Sequence, residues 1–278
     1  MKQHQAFTLV ELLVVISIIA LLIGILLPAL GHARLAAQGL RAKSDLRQLL
    51  IGYTAYQSDN EGRLLMAYPP PTLDGKTITV EYAGHTFGPP VSQRYPWRLI
   101  PYVAGIWEVL HTHSEVPELP GSDDSPVEAL LKAYSLSLYT AFGMNDVYVG
   151  GSVSHHGFVN GKANLGRHVV FHASEVQRSS ELIVLGESQV RNIVPAPDDP
   201  QEGYFRLTPP RANGEQWRAS GDEFELISGS ILGIPAGRYG PAAIGFFDGH
   251  VAGMTPTELN DMRYWANNAT TPEYDYTP

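Results

Sequence analysis

The chain has 278 residues, a formal net charge of −9 and no cysteine. This length suits one or two domains with a sizeable core, and the lack of cysteine excludes a disulfide framework and a thiolate metal site. Residues 1–60 hold five basic and three acidic side chains, which leaves 14 basic and 25 acidic ones in the remainder. Because an acidic body without a Lys/Arg cluster is repelled by phosphate, we expect no nucleic-acid partner.

The first predicted element is an almost wholly apolar run from Phe7 to Leu30. As a helix it would be about 36 Å long, which is enough to cross the hydrocarbon core of a bilayer. Glu11 lies near its start, and no charged residue follows from Leu12 to Leu27. A charged side chain costs about 2.5–3.5 kcal/mol at mid-bilayer and less near the interface, so a carboxylate here indicates a function.

Three interpretations fit this run. It could be a secretory signal peptide, with Lys2 ahead of it and a cleavage site in the alanine-rich tract Ala33–Ala37. It could be a plain membrane anchor, which would give Glu11 no role. The third interpretation is a resemblance to a known family, and it does give Glu11 a role.

The segment Phe7–Glu11 reads Phe-Thr-Leu-Val-Glu and opens the apolar run. It resembles the start of type IV prepilins and of type II secretion pseudopilins. In that family a membrane aspartyl peptidase cuts before the Phe and methylates the new amino group, which implies cleavage between Ala6 and Phe7 here. The family usually has Gly before the cut, so the Ala6 of this chain implies slower cleavage. The new ammonium of Phe7 would pair with Glu11 of a neighbouring subunit or of its own chain, which makes Glu11 an assembly residue.

The helix is predicted to continue beyond the apolar run, from Phe7 to about Ser58, over roughly 78 Å. One apolar stripe recurs at spacings of three and four, as on one face of an amphipathic helix. The stripe consists of Leu35, Gly39, Ala42, Leu46, Leu49, Tyr53 and Tyr56. Asp59–Gly62 is a stop signal, with Gly62 suited to a left-handed position.

Gly24 and Pro28 are predicted kink sites in the apolar half of this helix. Proline removes one backbone hydrogen bond and clashes with the preceding turn, although an ordinary membrane-helix proline is the alternative. The expected organisation is a leader over 1–6, a transmembrane and assembly helix over 7–30, its amphipathic continuation over 31–62, and a globular head over 63–278.

The head is rich in proline and glycine and has short element signals. Capping patterns at Ser125 and Thr255 predict short helices, and 96–103 is a weaker helix signal. Strands are predicted over Val169–His172, Leu182–Leu185, Ala243–Phe247 and His250–Met254. Asp248-Gly249 predicts a two-residue hairpin turn, because both central positions of such a turn favour positive φ. The fold class is therefore α+β, with an antiparallel sheet laid on the long N-terminal helix in a pilin-like arrangement.

The resemblance extends to the head. Phe142–Asn145 and the Asp-Gly-His-Val sequence from Asp248, together with 45–49 and 59–63, look like a subfamily of pilin-like proteins that end in this hairpin. Members commonly carry a His ten residues before the Asp. This chain has Arg238 there, so the resemblance implies no fixed histidine ligand.

Motifs for nucleotide binding, zinc proteases and serine hydrolases are absent, which favours a protein that is not an enzyme and has no cofactor. Histidine offers a metal signal in the pairs His111 and His113, His168 and His172, and His155 and His156, for which structural or solvated roles are expected. A loop with Asp198, Asp199 and Glu202 could hold Ca²⁺ in the head, with a solvated acidic turn as the alternative.

The sequence thus favours a structural subunit of a type IV pilus or of a type II secretion-like pseudopilus. Its expected partners are the prepilin peptidase, copies of itself and other pilin subunits, the inner-membrane assembly platform and the lipid bilayer. It would cross the inner membrane once, with the short N-terminus cytoplasmic and the head periplasmic or extracellular. The rival is a membrane-anchored periplasmic binding protein or enzyme, whose ligand site would be lined by the aromatic residues Trp97, Trp107, Trp217 and Trp265.

Overall fold

The computed structural model describes residues 9–73, 75–152, 158–159, 162–163, 168–190, 203–212, 214–221, 223–227 and 232–275. Within these ranges the helices are α1 (Leu9–Asp59), α2 (Tyr95–Leu99), α3 (Ile106–Leu110), α4 (Pro126–Leu138) and α5 (Pro256–Leu259). Single 3₁₀ turns lie at Ile100–Tyr102, Ala173–Glu175 and Met262–Tyr264. One long helix followed by short elements is the predicted α+β order.

The strands of the same ranges pair antiparallel. They are β1 (Thr72–Leu73), β2 (Lys76–Thr77), β3 (Val80–Tyr82), β4 (His85–Phe87), β5 (Phe142–Met144), β6 (Phe158–Val159), β7 (Lys162–Ala163), β8 (Ile183–Val190), β9 (Trp217–Ser220), β10 (Glu223–Leu226), β11 (Leu232–Pro235), β12 (Ala242–Phe246) and β13 (Val251–Met254). The main sheet runs β11-β8-β12-β13, and β5 also pairs with β8. The predicted antiparallel sheet is confirmed.

Helix α1 ends one residue after the predicted Ser58. The backbone N–H of Gly62 donates to the carbonyl of Gln57 at 2.8 Å, which closes the last turn. Glu61 and Gly62 both have positive φ, of 56° and 83°. A Cβ on Gly62 would lie 2.7 Å from the ring of His172, so the stop signal also makes room for a contact with the head.

The head covers a shorter part of the helical stripe than the sequence predicts. Ala42, Leu46, Leu49 and Tyr53 are buried as expected. Leu35 is 50% exposed, because the contact with the head begins further along the helix. Helix α1 therefore projects from the head over residues 9–37, all of which are exposed.

The main sheet packs on α1 through small residues of β12. A Cβ on Gly245 would lie 2.7 Å from Cδ1 of Leu50, which shows how closely the helix approaches this strand. Ala243 belongs to the same apolar cluster as Leu50, while its neighbours Ile244 and Phe246 belong to a second cluster. The alternation of side chains along β12 thus buries one face of the sheet against α1 and the other face against the C-terminal part of the head.

Asn145 directly follows β5 and is fully buried. Its side-chain amide donates to the carbonyls of Ile183 and Trp265 at 2.9 and 3.0 Å. Its side-chain oxygen accepts the backbone N–H of Tyr148 at 3.3 Å. One polar side chain therefore joins β8 to two loops that are remote in sequence.

The remaining element predictions have mixed outcomes. Ser125 caps α4 by accepting the N–H of Glu128, and the full reciprocal box is present at Thr255. The segment after Thr255 is split into α5 and a 3₁₀ turn rather than being one helix. The predicted strand Val169–His172 is wrong, because this segment makes only isolated bridges, from Val170 to Val149 and from His172 to Arg63, within a turn-rich stretch.

Candidate functional site

The candidate site is the projecting part of α1. This part of the helix is strongly apolar, and its most apolar stretch is not buried by the head. From Leu9 to Leu30 the helix is about 33 Å long, slightly more than the thickness of a hydrocarbon core. The segment is therefore long and apolar enough to cross a membrane as a single span, or to pack against other helices of the same kind.

Glu11 lies in the first turn of this helix and is exposed. A carboxylate is favoured there by the positive end of the helix dipole and by the nearby backbone N–H groups. Ala6 and Phe7, the predicted cleavage and methylation positions, lie outside the described residues. The pairing of Glu11 with a new N-terminal ammonium stays a prediction.

Gly24 and Pro28 are one helical turn apart, and α1 runs through both without a break. Proline has no N–H, so Pro28 cannot donate to the carbonyl of Gly24, four residues earlier. Nothing lies within 4 Å of a Cβ placed on Gly24, so no packing supports the helix at this point. The kink therefore stays a prediction. The carbonyl of Gly24, which lacks its usual backbone donor, marks where it would form.

The predicted hairpin at Asp248 and Gly249 is present, but its turn is longer than two residues. Phe246 N–H donates to the carbonyl of His250 at 3.0 Å, which encloses a three-residue loop. Gly249 has φ 89°, whereas Asp248 does not have positive φ. The two-residue prediction is wrong because the N–H groups of Phe247 and Asp248 donate to carbonyls of the chain before β8.

A carboxylate and an imidazole meet at the tip of this hairpin. Asp248 accepts from the backbone N–H of His250 at 3.1 Å and lies 2.6 Å from its ring Nδ1. Partial burial raises the pKa of Asp248, but the hydrogen bonds from His250 outweigh it, so its pKa is below its ordinary value. The ring of His250 stacks on Phe246 at 4.2 Å between centroids. These contacts give the two residues a structural role in holding the turn.

The histidines considered as metal ligands lie at separate places in the head. The ring of His111 is 3.1 Å from the carbonyl of Leu136, and that of His172 is 2.7 Å from the carbonyl of Glu61. His168 contacts the hydroxyl of Tyr274. In the part of the chain that the structure describes, no three His, Cys, Asp or Glu side chains are grouped as for a metal ion. His155, His156 and the acidic loop with Asp198, Asp199 and Glu202 lie outside that part.

A buried contact between an imidazole and a carboxylate in the head was not predicted from the sequence. Nε2 of His113 lies 2.9 Å from Oε1 of Glu187, and both side chains are more than nine-tenths buried. The other carboxylate oxygen accepts the N–H of Ala243 at 2.6 Å, so the pair lies beside β12. His113 and Arg238 also line a cavity of about 30 Å³, which is room for about one water molecule. The pair links the turn after α3 to the main sheet.

The aromatic site expected for a binding protein is not formed by the tryptophans. All four are buried in the two apolar clusters. A larger cavity of about 230 Å³ lies beside β10 and β12, and Phe224 is the aromatic residue in its lining. The tryptophan side chains therefore stabilise the core, and their positions do not favour the binding-protein rival.

The first 27 residues match the family described as the prokaryotic N-terminal methylation motif. The matched segment includes Glu11 and Gly24 and ends just before Pro28. No curated protein and no solved structure matches the chain. The family match therefore covers the start of α1 and does not extend to the head.

Proposed function

We propose that this chain, whose first 27 residues match the prokaryotic N-terminal methylation motif, is a structural subunit of a type IV pilus or of a type II secretion-like pseudopilus. Prepilin peptidase would cleave it between Ala6 and Phe7 and methylate the new amino group. The segment 7–30 would hold it in the inner membrane until it moves into the filament. Its role is mechanical, with no catalysis.

One observation carries this proposal: the motif-bearing apolar segment and the scaffold of the head are one helix. Helix α1 is continuous from Leu9 to Asp59, and its second half supplies Leu46, Leu49 and Leu50 to the main apolar cluster of the head. A force applied to the membrane segment is therefore carried directly into the head. A plain anchor needs only the span, and it would work equally well if a flexible linker separated the span from the head.

The remaining parts of the proposal follow from this layout. The leader 1–6 would be cytoplasmic, and the segments 31–62 and 63–278 would lie on the periplasmic or extracellular side. The partners are the peptidase, further copies of this chain or other pilin subunits, the inner-membrane assembly platform and the bilayer. After position 60 the chain has 25 acidic and 14 basic residues, so the head carries a net negative charge. This charge favours a head that is exposed to solvent and does not bind nucleic acid.

Electron microscopy of the filaments tests this proposal. The full chain, tagged after its last residue, is expressed in cells that have a prepilin peptidase and an assembly platform, and the filaments are sheared off and labelled with gold against the tag. We expect gold at regular intervals along filaments. Gold confined to the membrane fraction, with no labelled filament in cells that assemble other pilins, would overturn the proposal.

A further inference from the structure

Helix α4 has an exposed apolar face, on which the guanidinium of Arg94 covers part of one ring, that of Tyr134, at 3.9 Å from its centroid. Val127, Leu130, Leu131 and Tyr134 are exposed, while Ala129, Ala133 and Leu136 on the opposite side are buried in the head. At 100° per residue the four exposed side chains fall within about 100° of arc, so they form one continuous stripe. We call these four residues the α4 stripe. An exposed apolar stripe of this kind is typical of a surface that binds another protein.

One edge of the α4 stripe is acidic. Lys132 lies 2.9 Å from Glu118, 2.9 Å from Asp124 and 3.2 Å from Glu128, so one ammonium faces three carboxylates. The hydrogen bonds with Glu118 and then Asp124 raise the pKa of Lys132, which keeps it charged. Asp123 lies next to this group in sequence and is exposed. The edge therefore keeps a negative charge after Lys132 has been counted.

The projecting part of α1 offers a surface of matching shape and opposite charge. Ala33, Ala36, Ala37 and Leu40 are exposed and also fall within about 100° of arc. We call these four residues the α1 stripe. Arg34 and Arg41, two turns apart and both exposed, follow one of its edges. Three alanines beside a leucine leave a shallow groove that would accept the larger side chains of another helix.

We propose that the α4 stripe of one subunit binds the α1 stripe of a second copy of this chain, with the acidic edge of α4 beside Arg34 and Arg41. The inference rests on the proposed function, because it adds the contact by which neighbouring subunits would hold each other outside the membrane. Leu131, which is 65% exposed, and Leu40, which is 67% exposed, are the most exposed leucines of the two surfaces.

Charge decides between this partner and the alternative pairing of two α4 stripes. Two antiparallel α4 stripes brought together would place the carboxylates of Glu118, Asp124 and Glu128 of one copy against those of the other, and like charges disfavour such a contact. Contact between an α4 stripe and an α1 stripe uses two different surfaces of the chain. The subunit at one end then has a free α4 stripe and the subunit at the other end a free α1 stripe. Repetition then extends into a helical array instead of closing into a dimer.

Disulfide trapping tests this contact cleanly, because the full chain contains no cysteine. Two differently tagged single variants, Leu40→Cys and Leu131→Cys, are expressed together in cells that assemble the filament, and the filaments are oxidised. We expect a linked heterodimer in this mixture and a ladder of multimers from the double variant, because only opposing cysteines come within the roughly 4–7 Å between Cα atoms that a disulfide requires. Ile227→Cys, at an exposed apolar residue elsewhere on the head, replaces Leu131→Cys as the matched control and should give no heterodimer.

The charged edge gives a second readout. Glu128→Lys should lower the heterodimer yield about twofold to fivefold, the range that an exposed ion pair provides, and Arg41→Glu in the partner should restore it. A dimer from Leu131→Cys alone would show that α4 meets its own copy and would overturn the inference. So would labelled filaments that give no heterodimer and no ladder, since the proposed function would then stand without this contact. Absence of filaments from the unmodified chain would instead refute the proposed function and this inference with it.

Discussion

Replacement of Glu11 by valine is expected to lower the filament yield about 100-fold while the chain still inserts into the membrane. In the proposed filament, the N-terminal ammonium left by cleavage pairs with this carboxylate in a low-dielectric helix core. Removal of one partner leaves the other charge buried alone, which costs about 3 kcal/mol or more. Valine is apolar, so the span from Leu9 to Leu30 becomes more hydrophobic and insertion is preserved. Gold-labelled filaments and membrane-bound chain are measured from the same cells.

Two further variants make this result specific. Glu11→Gln keeps the size and polarity of the side chain but removes its charge, and it should lose assembly as the valine variant does. Glu81→Val, at an exposed carboxylate of β3 in the head, is the control and should assemble normally. A filament yield of Glu11→Val equal to that of the unmodified chain would contradict the assigned role of this residue.

Replacement of Asn145 by alanine is expected to lower the free energy of unfolding of the head by about 3 kcal/mol. The side chain is fully buried, and it supplies hydrogen bonds to two carbonyls and accepts one from a backbone N–H. Loss of a buried partner costs about 1–3 kcal/mol for each group that is left unpaired. For a domain of this size the change corresponds to a fall in Tm of about 10 °C, measured by calorimetry of the full chain in detergent.

The matched control is Asn60→Ala at the end of α1. Asn60 donates a side-chain hydrogen bond to the carbonyl of Tyr56 at 2.8 Å and also contacts Tyr102, in a half-buried position that water can reach. Its loss should cost about 1 kcal/mol. Equal Tm values for the two alanine variants would show that the three buried hydrogen bonds of Asn145 do not stabilise the head as their burial indicates.

Features with a local physical cause were predictable from the sequence. The buried face of α1 follows from a period of 3.6 residues, so Ala42, Leu46 and Tyr53 could be assigned before the fold was known. The stop at Gly62 depends on backbone conformation within a few residues. The N-terminal motif was also predictable, because its residues are contiguous in the sequence.

Features that depend on remote partners were not predictable. The length of the hairpin turn is set by contacts of Phe247 and Asp248 with Leu182 and Ser179, far away in sequence. The pairing of His113 with Glu187 has the same character, since no spacing rule relates the two residues. The α4 stripe was hidden for a different reason. Its apolar residues have a helical period, and a period alone does not show which of two apolar faces the head covers.

The length by which α1 projects from the head could not be predicted from the periodicity of its apolar residues either. Leu35 continues the apolar stripe of the buried half, yet it is half exposed because the head does not extend to this turn. When the apolar face of a helix extends beyond the part that the domain covers, the sequence alone does not show where the covered part ends. In a filament subunit, the surplus face is available to a neighbour, which is the role assigned here to the adjacent α1 stripe.

Mass spectrometry of the mature N-terminus tests the central claim most directly. The chain is isolated from membranes of cells with an active prepilin peptidase, digested, and its first peptide is sequenced. The proposed function predicts a peptide that starts at Phe7, lacks the six residues ending at Ala6 and carries one methyl group on its new amino group. A peptide that starts at an intact Met1, or at a position within or just after the alanine-rich tract Ala33–Ala37, would contradict it.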